Sequence, residues 1–327
     1  MAKSALLMTG EMMPLIMQGC DARFEVHRCW EAADRDALLK RVGPQIEAIC
    51  TGTFTGVKTD EAMMAACPNL KIVANFGVGY DSVDVAAAAR RGVIVTNTPE
   101  VLTEEVADTA LGLLLGTARE LSRAEKWLRD GRWAADGDYR LTPASLRDRS
   151  VGIAGLGRIG KAIARRVEAF GLPVSYYGRS QQEGVEYRHY SDLVALARDV
   201  DTLIVVTPGG PDTHNLIDAA VLNALGPRGI LINISRGSVV DEAALIEALK
   251  SRTILAAGLD VFHGEPRINP AFLQLDNATL LPHVGSASQY TRNAMGQLVM
   301  DNLVAYAEGK PPKTPVPETP FKGWKGV

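Results

Sequence analysis

The chain is poor in cysteine, lacks long apolar runs and carries no dominant sign of charge. Only Cys20, Cys29, Cys50 and Cys67 occur among 327 residues, and no two stand as Cys-x-x-Cys. That scarcity excludes a disulfide scaffold and a cysteine zinc site, and it reads as the reduced, packed thiols of a cytoplasmic protein. No metal site is expected. Lys and Arg number 35 against 38 Asp and Glu, a net charge of −3 with no basic block. Nucleic acid is therefore excluded as an expected partner. No apolar run reaches the roughly 18 residues that a membrane helix requires, so no membrane partner is expected. The first 17 residues are apolar but carry Glu11 and Pro14, with no cleavage site behind them. They read as a first strand and a loop rather than a signal peptide.

What is present supports a sizeable folded core. Hydrophobic residues make up 46% and charged residues 22%, and the length predicts two domains. Strand-like runs at 5–9, 24–27, 48–51, 71–75 and 93–96 alternate with helical stretches such as 32–42 and 84–91. This is a small α/β unit with a parallel sheet, and Asp84 is placed to cap the alanine run behind it. One long helix is expected over 104–131, capped by Thr103, with Glu104 and Glu105 at the positive end of its dipole. The segment 131–149 reads as a loop that could alternatively serve a subunit contact. Six further strands follow, at 151–154, 174–177, 203–207, 230–234, 254–259 and 279–281, with helical crossovers such as 241–250. A terminal helix over 287–308 runs back to the first domain, and the proline-rich tail 311–320 is expected to be extended and outside any core. The reading is α/β with two domains: a Rossmann-type doubly wound parallel sheet, 101–286, inserted into a smaller flavodoxin-like substrate-binding domain, 1–100 and 287–327.

The most informative segment runs from Val151 to Gly160, a buried strand leading into a glycine turn and a helix. It carries G-x-G-x-x-G at Gly155, Gly157 and Gly160, a dinucleotide-binding fingerprint. Gly155 permits the tight turn, Gly157 lets backbone approach a pyrophosphate, and Gly160 lets the helix pack on the strand. The N–H groups around Leu156, Arg158 and Ile159 face the phosphates at a positive helix end. An NAD site carries an acid at the end of the next strand, but here that strand ends in Gly178-Arg179-Ser180. A cation and a hydroxyl suit a 2′-phosphate, so NADP(H) is expected, with NAD(H) less favoured.

Ligands of an open parallel sheet bind beyond the carboxyl ends of its strands. Thr207, Ile234-Ser235-Arg236-Gly237, Asp260, Glu265-Pro266 and Pro282-His283-Val284-Gly285-Ser286 fall on that edge. Thr207 and Thr109 are candidates to touch the cofactor. An arginine can bind a carboxylate through two parallel hydrogen bonds. A histidine can pass a proton to or from an alcohol oxygen, and a glutamate can orient that histidine and favour its charged form. A lone histidine is by itself more often structural, and His27, His189, His214 and His263 are read so.

These segments, with Asn75-Phe76-Gly77-Val78-Gly79-Tyr80-Asp81 and Ala257-Gly258-Leu259-Asp260-Val261, together resemble the D-isomer-specific 2-hydroxyacid dehydrogenases, and within them the glyoxylate/hydroxypyruvate reductases. They span most of the chain in the family's order. The resemblance implies that Arg236 binds the substrate carboxylate and carbonyl. His283 would be the acid/base and Glu265 its partner. Asp260 would hold the nicotinamide carboxamide, beside Gly285. The N–H groups of Val78 and Gly79 would grip the substrate carboxylate. The resemblance further implies reduction of a small 2-oxoacid, a D-2-hydroxyacid product and a homodimer. Met12, Met13 and Phe76 are candidates to line the substrate pocket. Two other readings stay open: an NAD-linked dehydrogenase of another substrate range, such as D-lactate or phosphoglycerate, and a dinucleotide-sensing interaction protein on the same fold.

Overall fold

A computed structural model describes residues 3–147 and 149–324. The first two residues of the amino-terminal segment, Asp148 of the expected loop and the last three of the second domain piece lie outside the described residues. The chain divides into two compact units, one of Met1–Leu102 with Ser288–Val327, the other of Thr103–Ala287.

The first unit holds β1 (Ala5–Met8), β2 (Glu25–Arg28), β3 (Ile46–Thr51), β4 (Ile72–Asn75) and β5 (Ile94–Thr96) in the order β2-β1-β3-β4-β5. Every pairing is parallel. The inner strands are buried on both faces, which is why they read as unbroken apolar runs rather than alternating ones. Asp34, Asp60 and Asp84 cap the helices Arg35–Val42, Glu61–Ala66 and Val85–Arg91 through their carboxylates. Each satisfies backbone N–H groups that the helix itself leaves unpaired.

The second unit holds β6 (Val151–Ala154), β7 (Val174–Tyr177), β8 (Arg188–Tyr190), β9 (Thr202–Val205), β10 (Ile230–Asn233), β11 (Ala256–Leu259) and β12 (Ala278–Leu280). All pair in parallel in the order β12-β11-β10-β9-β6-β7-β8. The chain leaves β6 on one side for β7 and β8, then returns to its other side with β9. The crevice where that order reverses is the place where a doubly wound sheet binds its ligand.

Five expectations are corrected. The helix expected over 104–131 is two helices, Thr103–Ala118 and Leu121–Arg129. The chain turns at Glu120, whose φ is +51°, and the Glu120 carboxylate accepts hydrogen bonds from Tyr139 Oη at 2.7 Å and Arg140 at 2.6 Å. Thr103 is the first helical residue rather than a cap. The stretch expected to be loop contains the helical turn Arg132–Asp136, closed by an Arg132–Asp136 ion pair of 2.7 Å. The second sheet has seven strands rather than six, because the three-residue β8 adds to the edge at β7. At the amino end, a helix begins at Pro14 where loop was expected, with Pro14 at a position that needs no N–H donor.

The proline-rich tail is also not excluded from the core. Val316 is 1% exposed and packs into the apolar cluster of the first unit. Its N–H donates to Val95 O at 2.9 Å, and Thr319 Oγ1 accepts from Val95 N–H at 2.9 Å. The tail thereby occupies hydrogen-bonding groups at the outer edge of β5, and one valine between prolines suffices to anchor it.

Candidate active site

The glycine loop follows β6 and the helix Arg158–Ala169 follows the loop. Gly155 has φ +99°, a left-handed conformation that a side chain would strain. A Cβ there would also press on Thr207 N at 3.0 Å. A Cβ on Gly160 would collide with the Gly155 carbonyl oxygen, so the helix can approach the strand only with glycine at this position. Gly157 differs from both, because a Cβ there would meet nothing within 4 Å. Packing within the chain does not require that glycine, and the open space above it suits an external group. The helix has no side-chain cap at Gly157, so its first N–H groups are presented unscreened. Leu156 O accepts from Gln182 Nε2 at 2.7 Å, tying the loop to the segment after β7.

Thr207 follows β9 beside Gly155, and its buried hydroxyl has no hydrogen-bond partner among the described residues. An orphaned buried hydroxyl beside the glycine loop is what a dinucleotide's polar atoms would satisfy. Arg179 and Ser180 are both exposed just beyond β7. The residues present thus fit a phosphorylated dinucleotide.

A second group of side chains converges at the ends of β10, β11 and β12. Asn233, the last residue of β10, folds the turn that follows: its Oδ1 accepts from Ser235 N at 3.1 Å and its Nδ2 donates to Arg236 O at 3.0 Å. Arg236 then lays its aliphatic stem over Gly209, where a Cβ would stand 2.9 Å from Arg236 Cγ. A Cβ on Gly237 would collide with the backbone of Phe262 and His263. Gly237 therefore lets the Arg236 turn close upon the loop that carries Glu265. The Arg236 charge is one of the influences that lower the Glu265 pKa.

Glu265 and His283 are joined by a hydrogen bond of 2.6 Å between Oε2 and Nδ1. The other carboxylate oxygen of Glu265 accepts the N–H of Phe262 at 2.8 Å. Burial pushes the Glu265 carboxyl up, but the His283 and Phe262 hydrogen bonds and the Arg236 charge bring it below the usual value. With Nδ1 engaged, His283 has Nε2 left to present to a substrate, and its side chain remains 40% exposed.

Asp260 is 1% exposed at the end of β11. Its backbone carbonyl accepts His283 N–H at 2.8 Å. Its carboxylate oxygens accept Val284 N–H at 2.7 Å and Gly285 N–H at 2.8 Å. Burial nevertheless raises the Asp260 pKa above its ordinary value, against the opposing pull of those two N–H groups. Gly285 packs against Ile234, and its carbonyl accepts from Thr109 Oγ1 at 3.2 Å. The clamping role of Asp260 was not foreseen, because nothing local in the sequence links it to residues 24 positions away.

In the first unit, Val78 and Gly79 lie in the turn after β4. Asn75 Nδ2 donates to Gly77 O at 3.1 Å and to Gly79 O at 3.0 Å, and Asn97 Nδ2 donates to Val78 O at 2.9 Å. The Gly77 N–H is taken by Thr98 Oγ1 at 3.2 Å. Three carbonyls are thus held by side-chain amides, while the N–H groups of Val78 and Gly79 donate to nothing among the described residues. Two adjacent open N–H groups form a concavity for an anion. Asn75 and Asn97 are the residues that shape it, and sequence reasoning assigned them no role. Of the other histidines, His189 Nε2 contacts Gly178 O at 2.9 Å and His214 Nδ1 contacts Ser238 O at 3.2 Å.

Residues 111–285 match the family described as D-isomer specific 2-hydroxyacid dehydrogenase, NAD binding domain. The chain is 42% identical to a glyoxylate/hydroxypyruvate reductase A of Arabidopsis thaliana, over 97% of this chain and 100% of the relative. It is 43% identical to a hydroxyphenylpyruvate reductase of Plectranthus scutellarioides, over 95% and 98%. Among solved structures, it superposes with a TM-score of 0.94 and 51% identity on an NADPH-dependent glyoxylate/hydroxypyruvate reductase from Sinorhizobium meliloti in complex with NADP and malonate, covering 100% of both chains.

Proposed function

The chain belongs to the D-isomer specific 2-hydroxyacid dehydrogenase family, and we propose that it reduces small 2-oxoacids, glyoxylate and hydroxypyruvate among them, to D-2-hydroxyacids with NADPH. The observation that carries this reading is the 2.6 Å Glu265–His283 pair with Nε2 of the imidazole left over. That arrangement is a proton donor held by a carboxylate at the ligand-binding edge of a dinucleotide fold. The names of the relatives, all reductases of 2-oxoacids, support the same chemistry.

In this reading NADPH, when bound, supplies the hydride to the keto carbon. Arg236 binds the substrate carboxylate and polarises the carbonyl through its planar, permanently charged fork. The open N–H groups of Val78 and Gly79 hold the carboxylate as well. His283 donates its Nε2 proton to the oxygen that becomes the alcohol, and Glu265 fixes the ring for that transfer. Asp260 positions the histidine and remains the candidate for the carboxamide. Arg179 and Ser180 take the 2′-phosphate, which the NADP complex of the Sinorhizobium relative supports.

We also propose a homodimer formed through the segment after the break at Glu120. Leu121, Leu128, Trp133 and Leu141 are 52%, 56%, 58% and 95% exposed there. Such a concentration of apolar side chains within one short segment marks an association surface.

The test is the rate of NADPH and, separately, NADH oxidation by the purified protein with glyoxylate and with hydroxypyruvate. Turnover with NADPH well above NADH is the expected result. Turnover with NADH alone would refute the cofactor preference, and no turnover with either acid would refute the reading as a whole.

A further inference from the structure

Two hydrogen-bonded routes join the carboxy-terminal tail to the Val78–Gly79 turn within the first unit. The first begins at Asn302, 1% exposed on the helix Gln289–Ala307. Asn302 Oδ1 accepts the N–H groups of Lys313 at 2.8 Å and Thr314 at 3.1 Å, and Asn302 Nδ2 donates to Thr314 Oγ1 at 2.9 Å. Thr314 Oγ1 donates onward to Asn97 O at 2.7 Å, and Thr314 O accepts Asn97 N–H at 3.3 Å. Asn97 Nδ2 then donates to Val78 O at 2.9 Å. The second route is a single contact, in which Tyr80 Oη donates to the Glu318 carboxylate, whose oxygens stand 3.1 and 3.2 Å away.

Peptide geometry carries the effect of these bonds to the turn. A trans peptide unit is a rigid plane, in which a C=O and the N–H of the following residue point in opposite directions. Fixing Val78 O therefore aims the N–H of Gly79. Fixing Gly77 O, which accepts from Asn75 Nδ2 at 3.1 Å and from Thr98 N–H at 3.0 Å, aims the N–H of Val78. Asn97 and Thr98 are consecutive residues just after β5, so one short segment holds both planes. β5 is an edge strand, with no further strand to hold its outer side. The tail takes that place: Pro315 bridges Thr96 in antiparallel fashion, and Val316 N–H donates to Val95 O at 2.9 Å. Tyr80 directly follows the turn, so Glu318 secures its other end.

We propose that the carboxy-terminal tail is a working part of the substrate site, with Thr314 and Glu318 as positioning residues that aim the Val78 and Gly79 N–H groups at the substrate carboxylate. The inference rests on the reading that the chain binds a 2-oxoacid at that turn. Two N–H groups grip one carboxylate only while both point at it, because a hydrogen bond weakens steeply as its angle closes. A tail that lets go of Asn97 or Tyr80 frees the two peptide planes to rotate, and the grip is lost without any change in the residues that touch the substrate. Neither route includes Arg236, Glu265, His283 or the glycine loop. Proton transfer and cofactor binding are therefore spared when the tail is altered, and the loss falls on the carboxylate alone.

The test measures kcat, the KM for glyoxylate, the KM for NADPH and the melting temperature in the full-length protein and in its Thr314→Val, Thr314→Ser, Glu318→Ala and Tyr80→Phe variants. Thr314→Val keeps the shape of the side chain without its hydroxyl, and Thr314→Ser keeps the hydroxyl. The KM for glyoxylate is expected to rise about three- to tenfold in Thr314→Val, Glu318→Ala and Tyr80→Phe, the size of one hydrogen bond. The kcat and the KM for NADPH are expected to stay within about twofold, the pattern of a lost binding contact. Thr314→Ser is expected to match the wild type, and Glu318→Ala with Tyr80→Phe to do no more than either alone, because the two share one bond. An unchanged KM for glyoxylate in the three disruptive variants, whatever their melting temperatures, overturns the proposal and leaves the tail as a cover for β5, with the reductase reading standing. A KM for NADPH that rises as far as that for glyoxylate overturns it as a general loosening of the fold. No turnover by the wild type overturns the reductase reading and this one with it. Glu318 is exposed, so Glu318→Ala decides the matter even where Thr314→Val fails to fold.

Discussion

Asp260 holds His283 in a left-handed backbone conformation: the φ of His283 is +54°, and the Asp260 carbonyl accepts its N–H at 2.8 Å. A histidine at positive φ persists only where its surroundings over-determine it. The Asp260 carboxylate completes the restraint by taking the next two N–H groups. The imidazole is thus aimed from behind by a buried acid and from the side by Glu265. Asp260→Asn leaves one of those N–H groups facing an amide donor, an unsatisfied buried group worth about 1–3 kcal/mol. The variant should melt lower, by roughly 2–4 °C per kcal/mol, and its kcat should fall about tenfold or more. Weakened cofactor binding with kcat intact would instead assign Asp260 to the cofactor alone.

His283→Ala should lower kcat by about 10²–10⁴-fold, the usual contribution of a positioned proton donor. NADPH binding, followed by quenching of protein fluorescence, should remain measurable. Near-normal turnover in this variant would refute the assigned role.

The Glu265 carboxyl lies below its ordinary value in the folded chain. A group lowered in this way stabilises the folded state above its unfolded pKa, and that contribution is lost as pH falls through the folded value. The melting-temperature gap between the wild type and Glu265→Gln should therefore hold at pH 5–6 and shrink below about pH 4. A gap that widens on acidification would contradict the Glu265–His283 pairing as the source of the shift.

Gly157 and Gly160 should respond differently to the same substitution. Gly157→Ala meets open space, so melting should be unchanged, while NADPH affinity measured by calorimetry should fall about tenfold or more, the equivalent of about 1.4 kcal/mol. Gly160→Ala collides with the Gly155 carbonyl, so both stability and affinity should fall. Unchanged affinity in Gly157→Ala would mean that no pyrophosphate passes over that residue.

Arg179→Ala should raise the KM for NADPH about tenfold or more and leave that for NADH nearly unchanged. A hydrogen bond to a charged group is worth about 1.5–3 kcal/mol, and NADH has no phosphate to lose it. Equal effects on both cofactors would remove Arg179 from the 2′-phosphate site.

The sequence by itself determined the features whose causes are local. The apolar run Val151–Ala154 with Gly155, Gly157 and Gly160 could be read directly, because a tight turn and a close helix approach each demand a missing side chain at a set spacing. Asp84 ahead of an alanine run announced its helix for a similarly local reason. Arg236, Glu265 and His283 could be named as candidates from strand ends and family resemblance, and the resemblance already paired Glu265 with His283. The tertiary structure decided what depends on distant partners. Glu120 breaks a helix that propensity alone would continue, because Tyr139 and Arg140 take its carboxylate. Val316 enters the core because the edge of β5, some 220 residues earlier, offers it a hydrogen bond. Asp260 clamps residues 283–285, and Gly237 admits the loop that carries Glu265, through contacts between segments that only the folded sheet brings together. Period and turn chemistry are written along the chain; the backbone angle of His283 is held by the carbonyl and carboxylate of Asp260, which no local pattern connects to it.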